Sequence, residues 1–278
     1  MADLLTPSTI RASLAAHGLR PSRALGQHFL ADPNTARRIV RLAAIRAGDP
    51  VIEVGPGLGS LTLALIEAGA SITAVEVDRY VIKALHENVG AAAVRVVQGD
   101  ALDVDWDALA VVPGTAMVAN LPYNVATPVV VRALETSRHL TRYLVMVQRE
   151  VGERLAATPG SKTYGAVSVK VAFYARAEVV AVVPPTVFVP QPRVESAIVA
   201  LTRHGQPPVD VADPTALFAL VRAGFATRRK MVRQALRSVL GDATLEVLGD
   251  AGIAPTARAE ELDLAAWAAL AAAARGLR

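Results

Sequence analysis

The stretch Val51-Ile-Glu-Val-Gly-Pro-Gly-Leu-Gly59 decides how the rest of this sequence is interpreted. A mostly apolar run, typical of a strand buried on both faces, leads directly into three glycines at alternate positions. Glycine lets the backbone approach a ligand closely, and the helix expected next presents free N–H groups at its N-terminus. The dinucleotide-binding pattern requires a third glycine where this chain has Ser60. The stretch therefore predicts a ligand-binding turn of another kind.

Apolar runs and helical segments alternate on either side of this turn. Continuous apolar runs, each expected to be a strand, lie at residues 51–54, 72–77, 94–97, 116–119 and 143–147. Helical patterns separate them at 61–68, 79–88 and 128–134, which gives a series of βαβ units. Asp32 and Pro33 open an earlier amphipathic helix that is predicted to reach about Ala47. The fold class is therefore α/β, with a doubly wound, Rossmann-like parallel sheet.

The second half of the chain divides into two parts. Apolar runs at 167–174, 179–183 and 196–201 are expected to extend the sheet. After His204 comes the linker-like stretch Gly-Gln-Pro-Pro-Val-Asp-Val-Ala-Asp-Pro, followed by helical patterns without a strand signal. We therefore expect a domain over residues 1–204 and a small all-helical domain over residues 205–278.

Composition excludes several classes of protein. The 278 residues include no Cys, so the sequence predicts no disulfide framework and no thiolate metal site, and we expect no metal. The N-terminus lacks a basic region followed by an apolar core, and no apolar stretch reaches the roughly 20 residues of a membrane span. A cytoplasmic protein is the simplest interpretation. Nothing in the sequence requires more than a monomer.

Charge is distributed unevenly along the chain. Residues 1–48 carry seven Arg against two acids, residues 49–120 carry ten acids against three bases, and 213–242 carry six bases between two terminal Asp residues. Two basic flanks around an acidic middle suggest a polyanion held at its ends, although solvated surface charge explains any single cluster. Arg outnumbers Lys 25 to 4, which weakens the case that each Arg contacts phosphate.

Two further acids follow predicted strands. Glu76 ends the second strand, 21 residues after Gly55, the spacing at which an acid meets a pair of ribose hydroxyls. Asp100, beside Ala101, ends the third strand, where it would accept a hydrogen bond from an adenine amino group. The carboxyl ends of these parallel strands form a nucleoside pocket. The pattern E-x-G-x-G-x-G with these two acids resembles the pocket of S-adenosylmethionine-dependent methyltransferases.

The fourth strand ends in Asn120-Leu-Pro-Tyr123, which resembles the [N/D/S]-P-P-[Y/F] signature of enzymes that methylate amino groups of bases. The N6 lone pair of adenine is delocalised into the ring and is a poor nucleophile. Hydrogen bonds from N6 to the Asn120 side-chain oxygen and the Pro122 carbonyl would direct that lone pair at a methyl donor. Tyr123 would stack on the extruded base. On this segment alone, a plain turn with Tyr123 packed in the core is equally good.

Further motifs extend the resemblance along nearly the whole chain. Residues 26–30 (GQHFL), 148–155 (QREVGERL), 164–169 (YGAVSV), 187–196 (VFVPQPRVES) and 225–230 (FATRRK) resemble ordered motifs of one family. This family is the small-subunit rRNA adenine dimethyltransferases of the KsgA type. The resemblance implies transfer of four methyl groups from S-adenosylmethionine to two adjacent adenosines in the 3′-terminal hairpin of 16S rRNA. The expected partner is 16S rRNA in the small subunit or its precursor.

The resemblance also implies roles for individual residues. The residues expected to bind the cofactor are Gln27, His28, Leu30, Gly55, Gly57, Glu76, Asp100, Ala101 and Asn120. The residues expected to be catalytic are Asn120, Pro122, Tyr123 and Phe188, with Phe188 facing Tyr123 across the target adenine. His28 is a departure, because the family usually has Asn there and imidazole is larger.

The basic C-terminal segment is the expected RNA-binding site. Arg222, Arg229, Arg233 and Arg237 form one stripe if the segment is helical, and residues 217, 221, 225, 232, 236 and 239 supply an apolar face roughly opposite. With the family resemblance, Arg222, Arg228, Arg229, Lys230, Arg233 and Arg237 are predicted to contact rRNA backbone. Without it, a solvated face explains the same pattern.

Two other functions remain open from the sequence. A resistance-type methylase of large-subunit rRNA shares the fold, but such enzymes usually have N-I-P-Y and lack F-x-x-R-R-K. A ribosome-assembly factor that binds RNA without catalysis would not need the glycines or Asn120 through Tyr123, and both motifs are intact. A role in ribosome biogenesis is compatible with catalysis.

Overall fold

The computed structural model describes residues 3–22, 25–90, 93–227 and 230–276. The chain forms two compact units. The first comprises residues up to Gly152 together with Ala177–Arg203, and the second comprises Glu153–Arg176 together with residues from His204 onward. No helix in the described ranges has both the length and the hydropathy of a membrane span.

The described residues form nine strands. They are β1 (Phe29–Leu30), β2 (Pro50–Val54), β3 (Ser71–Glu76), β4 (Arg95–Gln98), β5 (Thr115–Asn120), β6 (Leu140–Gln148), β7 (Ala175–Val183), β8 (Phe188–Val189) and β9 (Ser196–Arg203). Seven of them form one sheet in the order β4-β3-β2-β5-β6-β9-β7, and β1 pairs antiparallel with β8. The pairs from β4 to β6 are parallel, whereas β6 and β9 are antiparallel.

Helices connect the strands and make up most of the second unit. The α-helices are α1 (Pro7–Ala16), α2 (Pro33–Leu42), α3 (Ser60–Glu67), α4 (Arg79–Val89), α5 (Trp106–Leu109), α6 (Ala126–Thr136), α7 (Arg149–Leu155), α8 (Ala166–Tyr174), α9 (Pro214–Ala226), α10 (Val232–Ala235), α11 (Arg237–Leu240), α12 (Thr244–Asp250) and α13 (Leu264–Arg275). The predicted α/β, Rossmann-like fold class is confirmed.

The strand order creates a switch point between β2 and β5. From β2 the chain moves outward through β3 to β4, and it then returns to place β5 on the other side of β2. In sheets of this kind, ligands bind at the carboxyl ends of the strands beside the switch point. The segments that leave β2 and β5 here are the glycine turn and Asn120–Tyr123.

Local sequence explains the start of α2. The Asp32 side chain accepts a hydrogen bond from the Thr35 N–H, with Pro33 in the first turn, so the predicted start is confirmed. The predicted end near Ala47 is wrong, because the helix ends at Leu42 and Ala44 adopts a positive φ of 50°. The buried residues Ala36, Ile39 and Val40 turn one face of α2 into the core.

The predicted strand at residues 167–174 is wrong, because these residues form most of α8. Val and Phe at alternate positions resemble a strand, but Val169 and Phe173 are also one helical turn apart, and both join the core of the second unit. The helix start is fixed by Ser168, whose hydroxyl accepts from the Gly165 N–H and donates to the Arg154 carbonyl. Side-chain capping and burial therefore override the alternating pattern.

The core of the second unit is built around Trp267, which is fully buried. Gly224 of α9 allows close packing, because a Cβ there would overlap the Trp267 ring. The Tyr164 hydroxyl donates to the Leu262 carbonyl at 3.0 Å, which attaches the segment before α8 to the segment before α13.

Candidate active site

The glycine turn after β2 is compressed between two other segments. Gly55 and Gly57 have φ values of +66° and +56°, where side-chain-bearing residues are strained. A Cβ on Gly55 would lie 3.2 Å from Pro122 Cδ, and one on Gly57 would lie 2.9 Å from Phe29 Cδ1. Glycine is therefore required both for backbone conformation and for the close approach of neighbouring segments.

These segments enclose a cavity of about 670 Å³, part of it open to solvent. Its lining comes from four parts of the chain, at residues 25–30, 53–61, 76–77 and 120–123. The cavity lies at the carboxyl ends of β2, β3 and β5, where the topology predicts a ligand.

Two buried carboxyl groups make the cavity acidic. Glu53 is 1% exposed and accepts a hydrogen bond from Thr62 Oγ1 at 2.7 Å. Burial raises the pKa of Glu53 to about 8, the hydrogen bond from Thr62 opposes this, and the charge of Glu76 adds to it. Burial likewise raises the pKa of Glu76, although the backbone N–H groups of Asp78 and Gly57 donate to its two oxygens at 3.0 and 3.3 Å.

The Asn120 side chain uses only part of its hydrogen-bonding capacity within the protein. Its Nδ2 donates to the His28 carbonyl at 3.1 Å, which fixes the orientation of the amide. Its Oδ1 is buried and has no hydrogen-bond partner among the residues that the structure describes. A buried acceptor left without a partner is costly, so a bound molecule with an N–H or O–H group is the natural donor.

The loop after Asn120 is held by the backbone. The Leu121 N–H donates to the Met146 carbonyl at 3.0 Å, and the Val125 N–H donates to the Pro122 carbonyl at 3.2 Å. A carbonyl oxygen has two lone pairs, so Pro122 keeps the capacity to accept one more hydrogen bond.

Tyr123 is fixed at both ends. Its hydroxyl lies 2.6 Å from Ser196 Oγ, and its ring centroid lies 5.2 Å from that of the His28 imidazole. Burial raises the pKa of the Tyr123 hydroxyl, while the bond to Ser196 opposes this shift. The ring is part of the cavity wall.

Most residues predicted to bind a cofactor lie at this cavity. Gln27, His28, Leu30, Gly55, Gly57, Glu76 and Asn120 all line it. The Gln27 amide is already paired within the protein, since its Nε2 donates to Asp78 Oδ2 and its Oε1 accepts from the Ser22 N–H. Gln27 therefore holds the N-terminal segment against the start of α4.

Asp100 and Ala101 are placed differently. Asp100 is exposed and accepts a hydrogen bond from the Leu102 N–H at 2.8 Å, which closes its own turn. Ala101 is buried, and neither residue belongs to the part of the cavity wall that the structure describes. Their contact with a cofactor stays a prediction.

Phe188 is 1% exposed and belongs to the hydrophobic core of the first unit. It pairs with Leu30 in the small β1–β8 sheet, and the described cavity wall does not include it. The structure thus places Phe188 as a buried anchor of its loop, while His28 is the aromatic side chain in contact with Tyr123.

Glu53 lines the cavity but was not among the predicted site residues, although Glu53 opens the E-x-G-x-G-x-G pattern. The signal was a carboxyl group inside an otherwise apolar strand, which is costly to bury without a function or a donor. Phe29 and Val77, which also line the cavity, carry no comparable signal because apolar residues at strand ends are ordinary.

The predicted single basic stripe is wrong, because the helix is interrupted. Helix α9 ends at Ala226, and α10 begins only at Val232, so Arg222, Arg233 and Arg237 lie on three different helices. These residues and Lys230 are exposed, whereas Arg228 and Arg229 lie outside the described residues. Val239, predicted to be part of the buried face, is 50% exposed.

Comparison with known proteins gives concordant results. The profile of a family described as "Ribosomal RNA adenine dimethylase" matches residues 19–275. A protein of Cutibacterium acnes named "Ribosomal RNA small subunit methyltransferase A" is 50% identical, over 94% of this chain and 91% of its own length. A protein of the same name from Thermobifida fusca is 47% identical, over 97% and 96%.

Solved structures agree on the fold. The 23S rRNA methyltransferase ErmE is similar with a TM-score of 0.67 and 25% identity, over 89% of this chain and 99% of its own. A dimethyladenosine transferase from Plasmodium falciparum has a TM-score of 0.73 and 24% identity, over 87% and 96%.

Proposed function

Since this chain belongs to the ribosomal RNA adenine dimethylase family, we propose that it dimethylates N6 of two adjacent adenosines in the 3′-terminal hairpin of 16S rRNA. The chain is an S-adenosylmethionine-dependent rRNA adenine dimethyltransferase. The finer assignment, to the small subunit and to that hairpin, is supported by relatives at 46–50% identity that are named as small-subunit methyltransferases.

The cavity fits this cofactor on two counts. The Glu76 carboxylate can accept further hydrogen bonds, as from hydroxyl groups, and its negative charge suits a cationic sulfonium. We assign Gln27, His28, Leu30, Gly55, Gly57, Glu76 and Asn120 to cofactor binding, with Gln27 acting through its bond to Asp78. The cofactor supplies an electrophilic methyl group.

The observation that carries the assignment is the buried Asn120 Oδ1, which has no hydrogen-bond partner in the described part of the chain. The amide is held by its bond to the His28 carbonyl, so Oδ1 is ready to accept a hydrogen bond from the N6 amino group of adenine. The second N6 hydrogen would be received by the Pro122 carbonyl, which has a lone pair left. Together these acceptors direct the N6 lone pair at the methyl group, so positioning and electrostatics supply the rate without a strong base.

Tyr123 would receive the extruded adenine on its ring, since a base must leave its stack to reach the cavity. Base–aromatic stacking contributes about 1–3 kcal/mol. Phe188 supports this site indirectly in our proposal, by anchoring the loop that carries Pro190, whose carbonyl contacts His28 Nδ1.

We assign rRNA backbone binding to the helical second unit. Its exposed bases Arg222, Lys230, Arg233 and Arg237 are suited to phosphate contacts, which are salt-dependent and carry little sequence information. The proposal includes Arg228 and Arg229 on the strength of the sequence alone.

The assignment is tested by transfer of labelled methyl groups from S-adenosylmethionine to small subunits that lack the modification, with large subunits in parallel. We expect label on small subunits alone. Asn120→Ala should abolish it because N6 loses its acceptor, whereas Asn34→Ala, an exposed carboxamide on α2, should label normally. Label on large subunits would instead assign a resistance-type methylase, and tight small-subunit binding without transfer would assign an assembly factor.

A further inference from the structure

Three segments that are distant in sequence meet at the Tyr123 side chain. Its hydroxyl lies 2.6 Å from Ser196 Oγ, at the short end of O–H···O hydrogen bonds. On another side, the His28 imidazole contacts the phenol ring at 5.2 Å between centroids and 31° between planes, the geometry of an aromatic pair. The imidazole is itself held, because its Nδ1 lies 2.8 Å from the Pro190 carbonyl.

Ser196 is a rigid end of this arrangement. It is fully buried, and it begins β9, where it is in register with Gln148 of β6. The central sheet therefore fixes the backbone of Ser196. A hydroxyl group placed by a sheet holds the far end of the Tyr123 ring more firmly than a hydroxyl on a loop or water would.

The loop that carries Tyr123 does not fix the ring by itself. Tyr123 is only partly buried, so packing alone does not fix rotation about its side-chain bonds. Without the bond to Ser196, the partly buried hydroxyl would need another partner, and the ring would turn to find one.

We propose that Ser196 is a positioning residue for methyl transfer, which acts through its hydroxyl bond to Tyr123 and keeps that ring in the orientation that receives the target adenine. This inference rests on the proposed function, in which Tyr123 stacks on the base. Its effect falls on the catalytic step, since a displacement of about 1 Å of a bound reactant can cost on the order of 100-fold in rate. The glycine turn and Glu76 of the cofactor site lie on other segments of the cavity wall, so cofactor binding should change little.

A double-mutant cycle tests this. Ser196→Ala and Tyr123→Phe remove the same hydrogen bond from opposite sides, and each should lower kcat for small-subunit methylation about fivefold to tenfold. The double variant should be no slower than the slower single variant. The Kd for S-adenosylmethionine, measured by calorimetry, should stay within about twofold of the wild type. Thr202→Ala deletes an exposed hydroxyl at the other end of β9 and should leave kcat unchanged.

Other outcomes would overturn the inference. The inference fails if folded Ser196→Ala keeps the wild-type kcat. It also fails if the fold losses of kcat in the two single variants multiply in the double variant, because the two side chains would then act independently. A loss of cofactor affinity equal to the loss of kcat would mean general damage to the cavity. If Ser196→Ala does not fold, Tyr123→Phe still tests the bond, and unchanged kcat there refutes it. An inactive wild type would instead refute the proposed function.

Discussion

Glu53 and Glu76 are two buried acids on adjacent strands of one cavity, an arrangement that is unfavourable unless something compensates for it. Both pKa values are raised by burial, and the charge of Glu76 raises the pKa of Glu53 further. A cation in the cavity would relieve this repulsion. The acidic character of the site therefore complements the positive charge of the cofactor.

Replacing Glu76 by Gln should weaken cofactor binding. Glu76 lines the cavity, and a carboxylate can accept more hydrogen bonds than the backbone supplies. Hydrogen bonds to a charged acceptor contribute about 1.5–3 kcal/mol. We expect the Kd for S-adenosylmethionine to rise about 10- to 100-fold in calorimetry. Glu67→Gln, at the end of α3 away from the cavity lining, is the matched control and should leave the Kd unchanged. Equal Kd values for Glu76→Gln and the wild type would refute the role.

Glu53→Gln should change how stability depends on pH. The folded-state pKa of about 8 lies above the ordinary value of 4.5, so the folded protein keeps a proton that the unfolded chain releases. The stabilisation is complete below about pH 4.5 and is lost as pH rises through 8, by at most about 1.4 kcal/mol per pH unit. The free energy of unfolding in urea should therefore fall more steeply from pH 5 to 8 in the wild type than in the variant. If the free energy of unfolding depended on pH in the same way in Glu53→Gln and the wild type, the raised pKa of Glu53 would be contradicted.

At the residue level, the sequence predicted side chains whose chemistry is unusual for their position. Glu76 and Asn120 end apolar strands, so the sequence indicated them as candidate site residues, and both line the cavity. The burial of Phe188 was not, because an aromatic residue among prolines is equally compatible with a base-stacking ring and a loop anchor. The exposed position of Asp100 depends on the turn after β4, which a carboxylate can cap by itself.

The glycine turn and β1 act as one element, because Phe29 packs where a Cβ of Gly57 would be. Gly57→Ala should therefore lower stability and also weaken binding of S-adenosylmethionine, by displacing β1 from the cavity. Gly48→Ala is the matched control, since its φ is also positive (+84°) but nothing lies within 4 Å of an added Cβ. We expect both to lose about 1–2 kcal/mol in urea unfolding, and the Kd to change only in Gly57→Ala. Intact binding in Gly57→Ala would contradict this coupling.

Elements with strong local signals were predicted well, and those that depend on tertiary contacts were not. The parallel strands β2 to β6 are mostly apolar runs, and the cap at Asp32 is a local signal. Helix α8 was missed because its apolar residues satisfy both periodicities, and packing in the second unit decides between them. The break between α9 and α10 has no proline or glycine to mark it.

On the scale of the whole chain, the cavity and the residues proposed to bind phosphate belong to different compact units. The cavity lies in the first unit, whereas the exposed bases Arg222, Lys230 and Arg233 lie in the second. This division agrees with a protein that recognises RNA backbone and reads the target base separately.

Removal of one phosphate contact should change the salt dependence of binding. For Arg233→Ala, we expect the slope of log K against log salt concentration for small-subunit binding to fall by about 0.7–0.9. Arg275→Ala, an exposed base at the end of α13 outside the proposed set, should keep the wild-type slope. Parallel lines for Arg233→Ala and the wild type would argue against its phosphate contact.

The most direct test of the central claim is the mass of the methylated RNA. After complete reaction with small subunits that lack the modification, nuclease fragments of 16S rRNA are weighed by mass spectrometry. We predict two adjacent N6,N6-dimethyladenosines, hence four added methyl groups, in the 3′-terminal hairpin fragment. The same fragment should carry no added methyl group after reaction with Asn120→Ala. Methyl groups in another fragment, on another atom, or undiminished in Asn120→Ala would contradict it.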